Sequence, residues 1–295
     1  MTQIKIVPEL KEPPQRVVSL VPSITESLFV LGFGESVVGI TDYCTHPADR
    51  LVQLPRVGGT KNPEVDKIIG LQPDLVFINQ EENSPDIVNA LQEGGIKVWV
   101  TFPQSVNDAV EVLRNLLAIY QTDSPAMHIN SLQMAVDWAA KASEQAKRVR
   151  YFCPIWQEED QGEVWWMTFN NNTYAHDLLG LMGGENVFAE RERKYPLAAD
   201  LGSENDGQPN SEKDNRYPRV SIGEVIDSSP ELILLPDEPY KFNPAHKDEI
   251  LNLLAFTPAV KNNQVHLVDG SLITWHGVRL GKALQKLTQF FHQYE

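Results

Sequence analysis

Residues 65–76 read VDKIIGLQPDLV, and they align without a gap with residues 222–233, which read IGEVIDSSPELI. Each stretch predicts a helix, a turn made of proline and an acid, and then a buried apolar strand. Residues 96–101 have a similar counterpart at 264–269, and the segment around Ser23 has a weaker one at 173–183. Because these pairs occur in the same order, we predict two lobes of one topology, although a general strand and helix alternation would produce part of the similarity.

Strands and helices also alternate outside these repeats. The first half of the chain has short apolar runs at residues 16–21, 37–41 and 96–101, each followed by a polar loop or a helical pattern. Ser23 and Glu26 have the spacing of a capping box, which predicts that Ser23 opens the first helix. The alternation indicates the α/β class, with mainly parallel sheets that carry helices on both faces.

A long helix is predicted between the two halves. Ser124 suits the N-cap, Pro125 suits the first helical position, and no further Gly or Pro follows until Pro154. We therefore predict an N-terminal lobe over residues 1–123, a rigid connecting helix over 124–148 and a C-terminal lobe over 149–295 with a polar insertion near 202–215. An ordinary surface helix of the first lobe is the alternative for this segment.

Composition excludes several classes of protein. The formal net charge is −15, which argues against nucleic acid and anionic membranes as partners because both are bound through clustered Lys and Arg. No apolar run is long enough to predict a transmembrane helix. The N-terminus lacks a basic segment followed by an apolar run, so the sequence as written predicts a cytoplasmic protein, or an extracytoplasmic one if a signal has been removed. Cys44 and Cys153 flank different predicted strands, so we expect no disulfide framework.

Four motifs in both halves carry a resemblance to a known family. They are RVVSLVPSITE at 16–26, LQPDLV at 71–76, GGENVF at 183–188 and YPRVS at 217–221. In this order they resemble the Fe/cobalamin periplasmic-binding family, whose members serve ABC importers of cobalamin, haem and iron–siderophore complexes. The resemblance implies a monomeric, non-catalytic substrate-binding protein with no required cofactor, whose two lobes hold a metal chelate, corrinoid or siderophore-like ligand in the cleft between them.

The resemblance also implies roles for particular residues. Tyr43 aligns with a tyrosine that touches the corrin in the family's cobalamin binders, whereas Thr60 and Asn79 stand where those binders have tryptophans. The family docks on its permease through one glutamate in each lobe. The residues at or near those positions here are Glu64, Asp66 and Glu224.

The position of the ligand site follows independently from the α/β class, because open α/β sheets bind ligands at the carboxyl ends of their strands. The candidate ligand-binding residues in the predicted loops there are Pro22, Ser23, Tyr43, Cys44, His46, Glu81, Glu82, Asn83, Tyr174, Asp237, Tyr240, Trp275 and His276. We expect the last five, with Trp156, to belong to the second lobe. Aromatic rings among them suit a large planar ligand.

Each group also has a structural interpretation. A thiolate at Cys44 and an imidazole at His46 would suit a soft or borderline metal, but a buried Cys and a His bonded to nearby backbone explain the same pair. Glu81 and Glu82 follow a predicted strand of the first lobe, and Asp237 and Glu238 follow its counterpart in the second lobe. If these carboxylates face each other, they call for a cation or a donor-rich ligand, unless they are solvated loop charges. Trp275 would equally suit a core position and His276 the start of a helix.

Two functions from different classes therefore remain. The first is capture of a metal-containing ligand for an ABC importer, and the second is a cytoplasmic metal or cofactor handler that binds metal directly through Cys44, His46 and nearby carboxylates. Enzymatic activity is disfavoured because the sequence has no G-x-S-x-G, H-E-x-x-H, P-loop or G-x-G-x-x-G motif.

Overall fold

The computed structural model describes residues 7–144, 146–160, 162–202 and 213–291. Contacts divide the chain into two compact units. Unit 1 comprises the residues up to Ala135 together with Trp275–Gly281, and unit 2 comprises Val136–Thr274 and the residues from Lys282 onward. This division differs from the predicted boundaries, because Trp275–Gly281 packs with the first half of the chain. Most of the predicted polar insertion near 202–215 lies outside the described residues.

Unit 1 contains one parallel sheet. Its elements, with the helix that leads out of it, are β1 (Val17–Ser19), α1 (Pro22–Val30), β2 (Val37–Ile40), α2 (Ala48–Leu51), α3 (Val65–Gly70), β3 (Leu75–Asn79), α4 (Pro85–Glu93), β4 (Val98–Thr101), α5 (Val106–Ile119) and α6 (Ala126–Ser143). The strand order is β2-β1-β3-β4, and every pair is parallel. β1 and β3 are buried throughout, as central strands covered on both faces must be.

The second half of the chain contains a second parallel sheet and a small antiparallel one. Its elements are β5 (Val149–Phe152), β6 (Trp156–Asp160), β7 (Glu163–Met167), α7 (Tyr174–Leu181), β8 (Gly184–Asn186), α8 (Leu197–Asp200), β9 (Arg219–Ser221), α9 (Ile222–Ser228), β10 (Leu232–Pro236), α10 (Pro244–Leu253), α11 (Pro258–Lys261), β11 (Val265–Val268), α12 (Ser271–Thr274) and α13 (Leu280–Leu287). The parallel sheet has the order β11-β10-β5-β8, and the antiparallel sheet has the order β6-β7-β9.

The two parallel sheets share one topology. When the strands of each are counted in chain order, both sheets place the second strand beside the first, the first beside the third and the third beside the fourth. The β6–β7 hairpin is inserted in unit 2 between the first strand and its helix. The predicted α/β class with two similarly built, mainly parallel sheets is confirmed.

The aligned stretches have the same local structure in atomic detail. Asp74 accepts a hydrogen bond from the backbone N–H of Arg16 at 2.8 Å, and Glu231 accepts one from the N–H of Arg150 at 3.1 Å. The guanidinium of Arg16 donates to the carbonyl of Leu71, and that of Arg150 donates to the aligned carbonyl of Ser228. The acid of each proline–acid turn therefore anchors the first strand of its sheet.

The predicted capping box at Ser23 and Glu26 is wrong. Helix α1 has Val21 as its N-cap, without a side-chain cap, and Pro22 in its first turn. Both polar side chains are instead buried and make contacts elsewhere in unit 1. The chain does form a capping box at α9, where Ser221 and Glu224 cap each other.

The long helix α6 ends earlier than predicted. It spans Ala126–Ser143, with its first part assigned to unit 1 and its last part to unit 2. Ile129, Leu132 and Val136 are buried, and their spacing of three and four residues places them on one face of the helix. Met127 and Trp138 are exposed.

Candidate functional site

A buried polar cluster lies at the carboxyl ends of β1 and β3 in unit 1. The Oγ of Ser23 lies 3.3 Å from Nε2 of His276, and the side-chain amide nitrogen of Asn79 lies 3.4 Å from the same atom. Asn79 also donates to Thr101. Burial lowers the pKa of His276 to about 4, so the imidazole is neutral at physiological pH.

His276 and Trp275 belong to unit 1, so the prediction that they line the second lobe is wrong. Both side chains are buried. The guanidinium of Arg279 stacks 4.8 Å from the Trp275 ring centre and forms a bidentate ion pair with Glu26, at 2.6 and 2.9 Å. The ion pair joins residues 253 positions apart in sequence, which explains why sequence patterns did not reveal it.

The loop after β2 carries the most exposed aromatic side chain of the predicted site. Tyr43 is 63% exposed, and a methyl group built on Gly59 would lie 3.6 Å from its ring, so the tyrosine rests beside a glycine. The ring of His46 is also exposed and meets Trp275 edge-on at 5.8 Å. Arg56 donates to the carbonyls of Thr41 and Cys44 and thereby fixes the start of this loop.

Cys44 occupies a different environment from its two neighbours. Its sulfur is buried and lies 3.1 Å from the hydroxyl of Thr25 and 3.3 Å from that of Thr41. Burial raises the pKa of the thiol, although the two hydroxyls oppose the shift. In the part of the chain that the structure describes, no group of three or more His, Cys, Asp or Glu side chains is arranged to hold a metal ion. The arrangement therefore favours the structural interpretation of Cys44.

The loop after β3 combines one anchoring residue with two acids. Asn83 is buried, accepts a hydrogen bond from the N–H of Asn79 at 2.8 Å and donates to the carbonyl of Thr60 at 2.7 Å. Its amide is thus used in holding two loops together. Glu81 and Glu82 are half-buried, and Lys61 donates to the backbone carbonyl of Glu81.

An aromatic cluster lies at the carboxyl ends of β5 and β10 in unit 2. Trp156 is 41% exposed and its ring meets Tyr240 edge-on at 5.5 Å. The Tyr240 hydroxyl lies 3.0 Å from Nε2 of His246, and its ring packs on Phe242. Two of the aromatic residues proposed for this unit therefore come together. Tyr174 does not join them at the surface, because its side chain is buried.

The predicted acids of unit 2 form part of the loop structure. Asp237 is exposed and accepts a hydrogen bond from the N–H of Gly270 at 2.7 Å. Glu238 accepts one from the hydroxyl of Thr274 at 3.2 Å. These bonds join the loops that follow β10 and β11.

The residues proposed for permease docking lie at the starts of equivalent helices. Glu64 is the N-cap residue of α3, and Asp66 lies in the first turn of that helix. Glu224 lies in the first turn of α9, where it completes the capping box and pairs with Arg191 at 3.2 Å. Glu224 therefore has a structural role that Glu64 and Asp66 do not share.

The sequence is similar to those of known binding proteins. The profile of the periplasmic binding protein family matches residues 17–272. The vitamin B12-binding protein of Vibrio cholerae is 26% identical over 187 residues, which cover 62% of this chain and 64% of that protein's length. The uncharacterized ABC transporter substrate-binding lipoprotein YvrC of Bacillus subtilis is 24% identical, and the match covers 95% of this chain and 81% of that protein.

Solved structures with the same fold are similar over almost the whole chain. The periplasmic heme-binding protein RhuT from Roseiflexus sp. RS-1 has a TM-score of 0.74 at 22% identity, covering 94% of this chain and 98% of that one. The vitamin B12-binding protein BtuF of Vibrio cholerae has a TM-score of 0.72 at 20% identity, covering 95% and 97%.

Among the residues that the structure describes, no helix is both long and apolar enough to span a membrane. The match to the family profile extends from β1 to α12, and so includes both parallel sheets and nearly every loop discussed above. The chain belongs to the periplasmic binding protein family, a family of substrate-binding proteins of transport systems.

Proposed function

We propose that this protein is the substrate-binding protein of an ABC importer and that it binds a metal chelate or a corrinoid-like ligand without chemical change. The family match supports the general role. The ligand class is supported by relatives and structural neighbours named for vitamin B12, heme and iron. The ligand brings its own metal, and the protein needs no resident cofactor.

One observation carries the proposal. The two parallel sheets have the same strand order, and the segments that follow their strands carry partly exposed aromatic side chains. These side chains are Tyr43 in unit 1 and Trp156 with Tyr240 in unit 2. Flat rings bury much apolar area while losing little conformational entropy, which suits a broad planar or chelated ligand. We propose that these exposed rings contact the ligand.

The polar residues Thr60 and Asn79 bear on which ligand is bound. Asn79 is buried and hydrogen bonded within unit 1, and the carbonyl of Thr60 accepts from Asn83. Neither supplies an aromatic surface. If a corrinoid is the ligand, Tyr43 must provide most of the ring contact from this unit.

Isothermal titration tests the proposal with a panel of cyanocobalamin, haem and ferric siderophores. We expect at least one member to bind with a Kd of about 1 μM or below, equivalent to roughly −8 kcal/mol. Absence of binding tighter than about 1 mM for every member would contradict the proposed ligand class.

Substitution of one aromatic residue in each unit tests where the ligand binds. Tyr43→Ala and Trp156→Ala should each weaken binding about tenfold or more, because each removes a ring from the ligand surface. The matched control is Trp138→Ala, since Trp138 is 79% exposed on α6 and should not affect affinity. An unchanged Kd in both site variants would show that the ligand binds elsewhere.

We also propose that Glu64 and Asp66 contribute to docking on the permease. Exposed acids at the start of α3 are placed to meet basic side chains, and such pairs mainly set orientation and association rate. Glu64→Lys combined with Asp66→Lys should reduce ligand-stimulated ATPase activity of the reconstituted importer and leave ligand affinity unchanged. Asp86→Lys, which changes an exposed acid in the first turn of α4, is the control. We propose Glu224 as the corresponding residue of unit 2.

We propose that the protein acts as a monomer outside the cytoplasmic membrane, where a receptor for an importer meets its ligand. Light scattering of the purified protein and fractionation of the native host test these two points. A stable dimer, or a protein confined to the cytosol, would contradict them.

A further inference from the structure

Unit 2 contains a cavity of about 480 Å³ that none of the predicted site residues lines. It lies where α7 begins and where β8 ends. One wall is formed by residues 170–172 and the other by residues 189–192 with Lys194. The cavity thus lies at the carboxyl end of a strand of the parallel sheet, which is where this class of fold binds ligands.

Hydrogen bonds fix both walls. The backbone N–H of Asn171 donates to the carbonyl of Ala189 at 2.9 Å, and its side-chain amide donates to Glu190 at 2.9 Å. The N–H of Asn172 donates to the side chain of Asn170 at 3.0 Å. The cavity is therefore formed without a ligand, which reduces the entropy lost on binding.

The two basic side chains that line the cavity differ in whether they already pair with an acid. Arg191 is already neutralised, because it pairs with the buried Asp200 at 3.2 Å and with Glu224 at 3.2 Å. The ammonium group of Lys194 has no acidic partner within 4 Å among the residues that the structure describes. Glu190 and Glu192 contribute two carboxylates to the same lining.

This lining offers strong donors and strong acceptors together. A carboxylate of the ligand would gain Lys194 but would share the cavity with the carboxylates of Glu190 and Glu192, and like charges destabilise such an arrangement. A cationic group would gain the acids but would face Lys194. An uncharged carboxamide satisfies both sets, because its oxygen accepts from Lys194 or an asparagine amide and its NH₂ group donates to a glutamate.

We propose that this cavity binds a carboxamide side arm of the transported ligand and selects it over the corresponding carboxylate. The inference rests on the proposed function, since it concerns the periphery of the same ligand. It makes Lys194 and Glu190 specificity-determining residues: Lys194 donates to the amide oxygen, and Glu190 repels an acid in its place.

Matched ligand pairs test the selection. The pairs are dicyanocobinamide with dicyanocobyrinic acid, and the diamide of haem with haem itself, which differ in having amide or carboxylate arms on one scaffold. By titration at pH 7.5, we expect the amide member to bind about tenfold more tightly or better in whichever scaffold binds.

Two substitutions test whether the cavity is responsible. Lys194→Met should weaken binding of the amide member by about tenfold, and Glu190→Gln should reduce the preference for amide over acid while keeping an oxygen to accept from Asn171. The controls are Lys261→Met and Glu163→Gln, which change exposed residues of α11 and β7. Circular dichroism spectra and unfolding midpoints of all four variants check that the fold is retained.

The outcomes separate this inference from the proposed function. Equal or tighter binding of the acid member, or unchanged preference in both cavity variants, would overturn the cavity's role and leave ligand capture intact. Failure of every compound to bind would overturn the proposed ligand class and the cavity's role with it.

Discussion

At the scale of single residues, burial sets the charge state of His276. It is buried beside Ser23 and Asn79, and burial lowers its pKa to about 4 from the usual value near 6.5. The unfolded chain therefore binds one more proton than the folded protein between these two pH values. Stability from this group is fully present above pH 6.5 and is lost as the pH falls towards 4.

We predict that lowering the pH from 7.5 to 4.5 reduces the free energy of unfolding of the unsubstituted protein by roughly 2–3 kcal/mol through His276. Each unit of pKa shift is worth about 1.4 kcal/mol. Urea unfolding at both pH values, for the native protein and for His276→Asn, measures this cost. The variant keeps a polar side chain but does not titrate, so it should lose correspondingly less stability. Equal losses in the two proteins would show that His276 does not control the pH response.

The ion pair between Glu26 and Arg279 is the second constraint at this scale. Both side chains are almost fully buried, so removing one partner leaves an uncompensated charge in the interior. Arg279→Met should therefore lower the free energy of unfolding by about 3–5 kcal/mol.

Arg50→Met is the matched control for this prediction. Arg50 pairs at 3.2 Å with Glu35, whose side chain is 92% exposed, so its loss should cost less than about 1 kcal/mol. Urea unfolding measures both variants. Similar losses for the buried and the exposed pair would contradict the importance assigned to the Glu26–Arg279 contact.

At the scale of secondary structure, much of the fold could be predicted because the signals are local. The proline–acid turns at Asp74 and Glu231 mark equivalent positions, and the apolar runs that follow them become β3 and β10. The β6–β7 hairpin was not predicted. Its first strand reads WQEED and is exposed except at Gln157, so it lacks the apolar alternation by which strands are recognised.

The sequence predicted which segments follow the strands, but it did not predict which of their side chains are exposed. Loops at strand ends follow from the order of elements, which is why Tyr43 and Tyr240 lie where expected. Whether a side chain points outward or inward depends on long-range packing, and this is why Trp275 and Tyr174 proved to be buried. No local feature of the sequence indicates that Arg279 forms an ion pair with Glu26.

The turns before β3 and β10 give a prediction at this scale. Gln72 and Ser229 occupy aligned positions, and both have left-handed backbones, with φ of 51° and 48°. This conformation is unfavourable for residues with a Cβ atom and free of that penalty for glycine. Gln72→Gly and Ser229→Gly should therefore each leave stability unchanged or raise it by up to about 1 kcal/mol.

Ala135→Gly, in the interior of α6, provides the contrast. There the backbone is helical, so glycine should lower the free energy of unfolding by about 1 kcal/mol. Chemical unfolding midpoints distinguish the two behaviours. Destabilisation of the turn variants by as much as the helix variant would show that the left-handed turns carry no strain for their residues.

At the scale of the whole molecule, the chain does not complete one unit before it starts the other. Unit 1 includes Trp275–Gly281, which the chain reaches only after building most of unit 2. This short segment supplies the partner of Glu26 and the imidazole beside Ser23. The backbone N–H of Val278 also donates a hydrogen bond to the Ser27 hydroxyl oxygen at 3.3 Å. Helix α1 therefore depends on residues that are distant in sequence.

We predict that a fragment of residues 1–144 does not fold cooperatively, because it leaves Glu26 buried without its arginine and exposes the apolar surface that the segment covers. Joining residues 275–281 to the fragment through a flexible Gly/Ser linker should restore a near-ultraviolet circular dichroism signal and a single unfolding transition. The same fusion with Arg279→Ala should restore neither to the same extent. A sharp unfolding transition of the fragment alone, with a midpoint that residues 275–281 do not shift, would contradict this prediction. It would show that unit 1 folds without residues 275–281.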